Sequence, residues 1–104
     1  DDRSESIQFS EEILNLGPVE RGSAAPFEFN FVGSENLIFN NLSYDQYKIL
    51  IAGNLDTAIQ TGSIQGVLKA NASVGLYRDV IILDGNFLGG QKELTLTYEI
   101  VSEE

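Results

Sequence analysis

The sequence of 104 residues contains no cysteine, histidine, methionine or tryptophan. Without cysteine there can be no disulfide, thiol catalysis or cysteine metal site, and without histidine there can be no Ser-His-Asp triad or histidine-bound metal. No apolar run reaches the roughly 18 residues of a membrane-spanning helix. Because no methionine begins the chain, we expect a processed N-terminus or an excised domain from which any targeting segment has been removed.

Basic residues are also few, since six Lys and Arg stand against sixteen Asp and Glu, for a formal net charge of −10. Such a surface repels phosphate backbones and anionic membranes, so we expect neither a nucleic-acid partner nor membrane insertion. Two interpretations of the charge remain open. It belongs either to a solvated domain kept apart from its neighbours, or to a surface for a basic partner or Ca²⁺.

What the chain does contain is enough apolar sequence for a packed core. Hydrophobic residues make up 42% of the chain, and its length fits one domain. We therefore predict a single domain over residues 1–104, with residues 1–6 as a flexible end.

The strongest pattern lies in residues 93–101, where apolar and polar side chains alternate with a period of two. That period describes a half-buried strand. Residues 76–83 form a second apolar run that we expect to pair with it. Phe27, Phe29 and Phe31 share one face of another strand over residues 24–32, and such stripes usually pack inward. The predicted core includes Phe27, Phe29, Leu68, Leu96, Tyr98 and Ile100.

Turn signals separate the remaining segments about every ten residues, as expected of a β-sandwich. We predict an all-β sandwich of about seven to eight mostly antiparallel strands, with a hairpin over residues 27–39. Residues 6–16 read as a first edge strand that is broken in the middle. Residues 53–62 form the longest polar connection, whose centre could be a turn of helix or a short edge strand.

Six short pieces of the sequence resemble a known family pattern: Gly17-Pro18-Val19-Glu20-Arg21-Gly22, Phe27-Glu28-Phe29, Gly33 with Leu37, Thr61-Gly62-Ser63, Gly75-Leu76-Tyr77, and Asp84-Gly85-Asn86. The pattern is that of Ig-like domains of secreted bacterial proteins of unknown function, related to hydin-type and major-sperm-protein-like domains. The resemblance implies an Ig-like β-sandwich in an extracytoplasmic location (periplasmic, cell surface or secreted), with a scaffolding or interaction role and no catalytic residues.

The chain departs from that pattern at two places. Phe31 stands where the pattern has Asn. The Cys-Gly-Cys of many bacterial members is absent, and residues 44–48 occupy its region. No cysteine-dependent role is carried over.

Carboxylates are the only plausible catalytic groups. Asp45, Asp56, Asp79 and Asp84 lie in or near predicted turns, where we interpret them as solvated loop acids. No calcium-loop motif and no phosphate-binding loop occur, so we predict no catalytic, cofactor-binding or metal-ligating residue. Asn41-Leu42-Ser43 and Asn71-Ala72-Ser73 match the glycosylation acceptor pattern, which matters only in a eukaryotic secretory context.

The leading hypothesis is a non-enzymatic Ig-like structural or protein-interaction module of a larger extracytoplasmic protein or assembly. Ile59, Tyr44 and Tyr47 are the candidate partner contacts, because the connection around Ile59 is unprotected by Pro or Lys. The alternative for that connection is a mobile loop that binds nothing. The alternative function is a carbohydrate-binding β-sandwich that stacks sugars on Tyr44, Tyr47 or Phe87.

Overall fold

The computed structural model describes residues 5–102 as two four-stranded β-sheets and one short helix. In chain order the elements are β1 (Ile7–Phe9), β2 (Ile13–Glu20), β3 (Ala24–Gly33), β4 (Phe39–Ser43), β5 (Ile49–Ile51), α1 (Leu55–Thr61), β6 (Ser63–Lys69), β7 (Gly75–Gly85) and β8 (Gln91–Val101). The first sheet has the order β1-β3-β6-β5, and the second has the order β2-β8-β7-β4. All pairs of these strands are antiparallel except β2 with β8. The predicted all-β sandwich is confirmed.

The core lies between the sheets and includes all six residues that were predicted for it. Leu94, Leu96, Tyr98 and Ile100 of β8 all point inward and are buried. From the first sheet, Phe27, Phe29 and Phe31 pack inward as predicted, and Leu68 is fully buried beside them. The predicted pairing of the last two long strands is also confirmed, since β7 and β8 are antiparallel neighbours.

The predicted hairpin over residues 27–39 is wrong. Strand β3 pairs with β1 and β6, whereas β4 lies in the second sheet and pairs with β7. The connection between them crosses from one sheet to the other and buries Leu37 on its way. Both strands turn apolar side chains inward, so their alternation is compatible with either topology. It specifies a buried face but not a neighbouring strand.

The first segment is divided between the sheets, because β1 is an edge strand of the first and β2 an edge strand of the second. Between Asn15 and Pro18 the register of β2 against β8 shifts, and Gly17 adopts φ +72° there. Glu5 and Ser6 fall within the end that we expected to be flexible. Both are nevertheless bonded into the fold, through backbone bonds to Asn86, Leu88 and Ser34. Residues 1–4 of that end lie outside the described residues.

The long polar connection forms helix α1. Asn54 caps its start, because its side chain accepts a hydrogen bond from the Thr57 backbone N–H at 2.8 Å. Gly62 ends it in the left-handed conformation, with φ 71° and a bond from its N–H to the Ala58 carbonyl. Of the two structures that the sequence left open for this connection, the helix is the correct one.

The sandwich is elongated, with extents of 52, 22 and 21 Å, and the described chain enters it near the start of β8 and leaves it near the end of β8. At the entry pole, Leu88 donates to the Glu5 carbonyl just before β8 begins. At the exit pole, where β8 ends, Arg21 donates to the Val101 carbonyl at 2.8 Å. The eleven residues of β8 span the distance between the poles.

Candidate functional site

The four aromatic and aliphatic residues proposed as contacts have very different surroundings. Tyr47 is 86% exposed. Tyr44 and Ile59 are half-buried and pack against the core. Phe87 is 2% exposed and fully part of the core, so its predicted role as a sugar-stacking surface is wrong. Only Tyr47 could contact a partner without a loss of core packing. Its contact with a partner stays a prediction.

Two of the four candidate acids are not loop residues. Asp45 and Asp56 are exposed, the former capping its own turn by accepting from the Tyr47 N–H. Asp79 and Asp84 lie within β7 and are half-buried. The prediction of solvated loop acids is wrong for this pair. Within residues 5–102 there is no group of three or more metal-ligating side chains. No helix in that range is long and apolar enough to cross a membrane.

Asp79 is the centre of a polar cluster at the inner side of β7. One carboxylate oxygen accepts a hydrogen bond from the Tyr98 hydroxyl of β8. The other lies 3.7 Å from the Lys48 ammonium, which comes from the segment before β5. Since β5 belongs to the first sheet and β7 to the second, this ion pair joins the two sheets across the core. The side chains of Lys48 and Asp79 are only 25% and 14% exposed.

Two aromatic rings complete the cluster. The rings of Tyr77 and Tyr98 stack with centroids 5.5 Å apart, and the Lys48 ammonium lies 5.0 Å from the Tyr77 centroid. Burial raises the pKa of Tyr98, and the hydrogen bond to the Asp79 carboxylate raises it further, because both oppose the phenolate. Tyr98 is therefore neutral at physiological pH and acts as a hydrogen-bond donor. The Tyr77 ring thus contacts both the Tyr98 ring and the Lys48 ammonium.

Lys48 and Tyr77 were not predicted as members of this cluster. One pattern in the sequence does indicate Asp79, the acidic centre of the cluster. Counting back in steps of two from Leu83 and Ile81 brings Asp79 and then Tyr77 onto the buried face of β7. An acid in phase with a core stripe is expected to have a partner.

Outside the core, the outward side chains of the first sheet form rows across its strands. Pro26 of β3 lies opposite Val67 of β6, which lies opposite Leu50 of β5. A shallow groove of about 490 Å³ runs over this face and is lined in part by Pro26, Val67 and Ala52. Leu50 is 53% exposed at its edge. Together, Pro26, Val67 and Leu50 are called the apolar row.

No known family matches the sequence, and no curated protein matches it. Solved structures do resemble the fold. A chimeric titin Z1Z2 carrying a KLER peptide from decorin is 17% identical, with a TM-score of 0.58 over 93% of this chain and 95% of that chain. A chain of the titin M10–obscurin-like 1 Ig complex, in a mutant form, is 10% identical, with a TM-score of 0.57 over 97% and 99%.

A family 123 glycoside hydrolase from Clostridium perfringens is 7% identical, with a TM-score of 0.63. The match covers 96% of this chain but only 27% of the hydrolase chain. At these identities the likeness concerns the fold alone.

The strand order agrees with those comparisons. The first sheet corresponds to the A-B-E-D sheet of an immunoglobulin domain, and β8-β7-β4 corresponds to G-F-C. Tyr77 stands near the start of β7 and donates to the Ser73 carbonyl at 2.6 Å, the bond made by the corner tyrosine of such domains. Asp79, two residues later, stands where antibody domains have their second disulfide cysteine. The chain therefore has the fold of an immunoglobulin-like β-sandwich.

Proposed function

We propose that this chain is a non-enzymatic structural module that holds neighbouring parts of a larger extracytoplasmic protein or assembly apart. The observation that carries the proposal is that Glu5 and Val101 lie near opposite ends of the long strand β8. Two neighbouring segments, one joined at each end of the sandwich, would be held apart by the length of β8, about 35 Å for eleven residues.

The way in which the ends are attached supports a load-bearing role. Strand β2 runs parallel to β8 from Ile13 to Glu20, and both run from the entry pole to the exit pole. A force that pulls the poles apart therefore acts along these strands. The hydrogen bonds of this parallel pair, which are evenly spaced and slanted between the strands, are then loaded together in shear.

Two further observations support parts of the proposal. The resemblance to secreted bacterial Ig-like domains supports an extracytoplasmic location. A protein partner is supported by the titin M10–obscurin-like 1 Ig structure, which is that of a complex. The exposed Tyr47 is the residue that we propose for such a contact, and Tyr47→Ala is the variant to compare in binding experiments.

Single-molecule stretching tests the structural role. Because the chain has no cysteine, handles can be attached at pairs of introduced cysteines. In the Ser6→Cys/Ser102→Cys protein, the force acts between the poles and shears β2 from β8. In the matched Arg21→Cys/Ser102→Cys protein, both handles are at the exit pole, and the same ladder opens one bond at a time.

We expect a rupture force at least about twofold higher for the pole-to-pole pair, because several bonds must then break together. Equal forces for the two pairs would contradict the load-bearing role. Both proteins should first show the thermal unfolding of the parent chain, so that a difference in force reflects direction and not stability.

A further inference from the structure

The outer face of the first sheet differs in charge from the rest of the molecule. Among the side chains that point outward from β3, β5 and β6, only Glu28 and Lys69 are charged, so the face has no net charge. The whole chain has a net charge of −10. Two copies of this protein would repel each other in most orientations. This face is one through which they could approach without that repulsion.

The two charges are arranged about the apolar row. Lys69 lies one row beyond it towards the exit pole, opposite Ala24. Glu28 lies one row beyond it on the other side, opposite Gln65, whose amide donates to the Glu28 carboxylate at 2.9 Å. Lys69 makes no ion pair with any residue that the structure describes.

We propose that this face binds the same face of a second copy of the chain, related by a two-fold axis that runs across the strands along the apolar row. This operation places each apolar row against its equivalent and exchanges the two flanking rows. Lys69 of each copy then lies beside Glu28 of the other, one strand spacing of about 4.8 Å away laterally. Two reciprocal ion pairs flank an apolar centre, which is the arrangement of a self-complementary interface.

The size of the face sets the strength of the contact. The strands of this sheet hold 3, 10, 7 and 3 residues, which present roughly 400 Å² per copy, below the roughly 800 Å² per partner of a standard stable interface. We therefore expect a weak dimer, with a dissociation constant on the order of 100 μM. Repulsion between the other acids of the two copies also weakens the dimer, although salt screens this repulsion beyond about 8 Å at physiological ionic strength.

Sedimentation velocity on the intact chain, over about 10 μM to 1 mM, tests the proposal with the protein alone as the probe. We expect a concentration-dependent dimer. Leu50→Lys should weaken it at least about tenfold, because each copy would bring an unpaired charge to the apolar row. The control is Leu76→Lys, an exposed leucine on the outer side of the second sheet, which should dimerise like the parent chain.

A charge exchange and a cross-link identify the face. Glu28→Lys and Lys69→Glu should each weaken the dimer, and the double variant should restore it, since the reciprocal pairs are then reversed and not lost. With Val67→Cys as the sole cysteine, a short bis-maleimide should join two chains at high concentration, while Val80→Cys of the second sheet should not be joined. All variants should retain the parent melting temperature. A protein that is monomeric at about 1 mM overturns the proposal, as does a dimer that Leu76→Lys weakens and Leu50→Lys does not.

Discussion

Asp79 binds both Lys48 and Tyr98 at a position where antibody domains carry a cysteine. A carboxylate in a sandwich interior costs several kcal/mol of desolvation unless charge and hydrogen bonds compensate it. Here the Lys48 ammonium supplies the opposite charge and the Tyr98 hydroxyl supplies the hydrogen bond. The sheets are therefore joined across the core by a polar contact, in a chain that has no cysteine to form a disulfide.

That contact predicts the behaviour of the protein at alkaline pH. The raised pKa of Tyr98 means that the folded state holds its proton more tightly than the unfolded chain does. This contribution to stability is complete below the ordinary tyrosine value of about 10 and is lost as pH rises through the folded pKa. Tyr98→Phe should lower stability by about 1–3 kcal/mol at neutral pH, and it should remove part of the decline above about pH 10.

Thermal unfolding between about pH 8 and 12 measures this effect. Tyr47→Phe is the matched control, because Tyr47 is 86% exposed and has lost almost none of its contact with solvent. Its alkaline profile should follow that of the parent chain. If the Tyr98→Phe protein declined as steeply as the parent, Tyr98 would not be the titrating group.

Gly66 is a second residue whose identity the packing requires. It points inward from β6, and a Cβ there would lie 2.5 Å from the Leu50 carbonyl oxygen and 2.6 Å from the edge of the Phe27 ring. The backbone oxygen cannot move away without disturbing β5. Gly66→Ala should therefore destabilise by about 1–3 kcal/mol, although the same change in an open strand favours folding.

Urea unfolding measures the difference in stability between the Gly66→Ala protein and the parent chain. Gln65→Ala, the outward-facing neighbour in the same strand, should change stability by less than about 1 kcal/mol. A Gly66→Ala protein as stable as the parent would mean that β5 can move away from β6.

At the scale of elements, α1 depends on its ends more than on its length. It has seven residues, too few for an isolated helix, and its half-buried side chains pack against the core. Asn54→Ala removes the acceptor for the Thr57 N–H and should cost about 1 kcal/mol in chemical denaturation. Asn54→Asp keeps a capping oxygen and adds a favourable charge, so it should stay near the parent value. Equal losses in both variants would point to a role of Asn54 outside the cap.

Strand phase and the pairing of β7 with β8 could be predicted from the sequence, whereas the partner of β4 could not. The alternation in β8 and the spacing of Phe27, Phe29 and Phe31 identify the buried face, because side-chain direction in a strand depends only on parity. The partner of β4 depends on whether a five-residue connection folds back or crosses the core. Both outcomes bury Leu37 and Phe39, so the pattern does not distinguish them.

The candidate contacts show the same limit. Ile59 was selected as the apolar residue of an open connection, but that connection is a helix, and its apolar side chains face the core. Phe87 was predicted as one of three residues on which a sugar could stack. Its ring is buried because the bonds from Glu5 to Asn86 and Leu88 draw the turn onto the sandwich. Bonds between residues more than 80 positions apart leave no local signal in a sequence.

For the whole molecule, the dominant long-range effect is self-repulsion among sixteen acids. A net charge far from zero destabilises a compact state, and salt screens it. Raising NaCl from about 10 mM to 500 mM should raise the melting temperature by roughly 2–5 °C. CaCl₂ at the same ionic strength should give no additional rise, since residues 5–102 hold no cluster of metal ligands. An extra stabilisation by Ca²⁺ would show that the folded state binds the ion.

The parallel pairing of β2 with β8 also affects how the protein is made. Ile13 pairs with Thr95, so the first long strand of the second sheet cannot pair until β8 has been synthesised. A ribosome adds about 5–20 residues per second, and several seconds therefore pass in which β2 has been made but its neighbour has not. The sandwich cannot close on a nascent chain until β8 has left the ribosomal tunnel. During that interval the edge of β2 is bare, and its register break at Gly17-Pro18 makes it a poor template for pairing with other nascent chains.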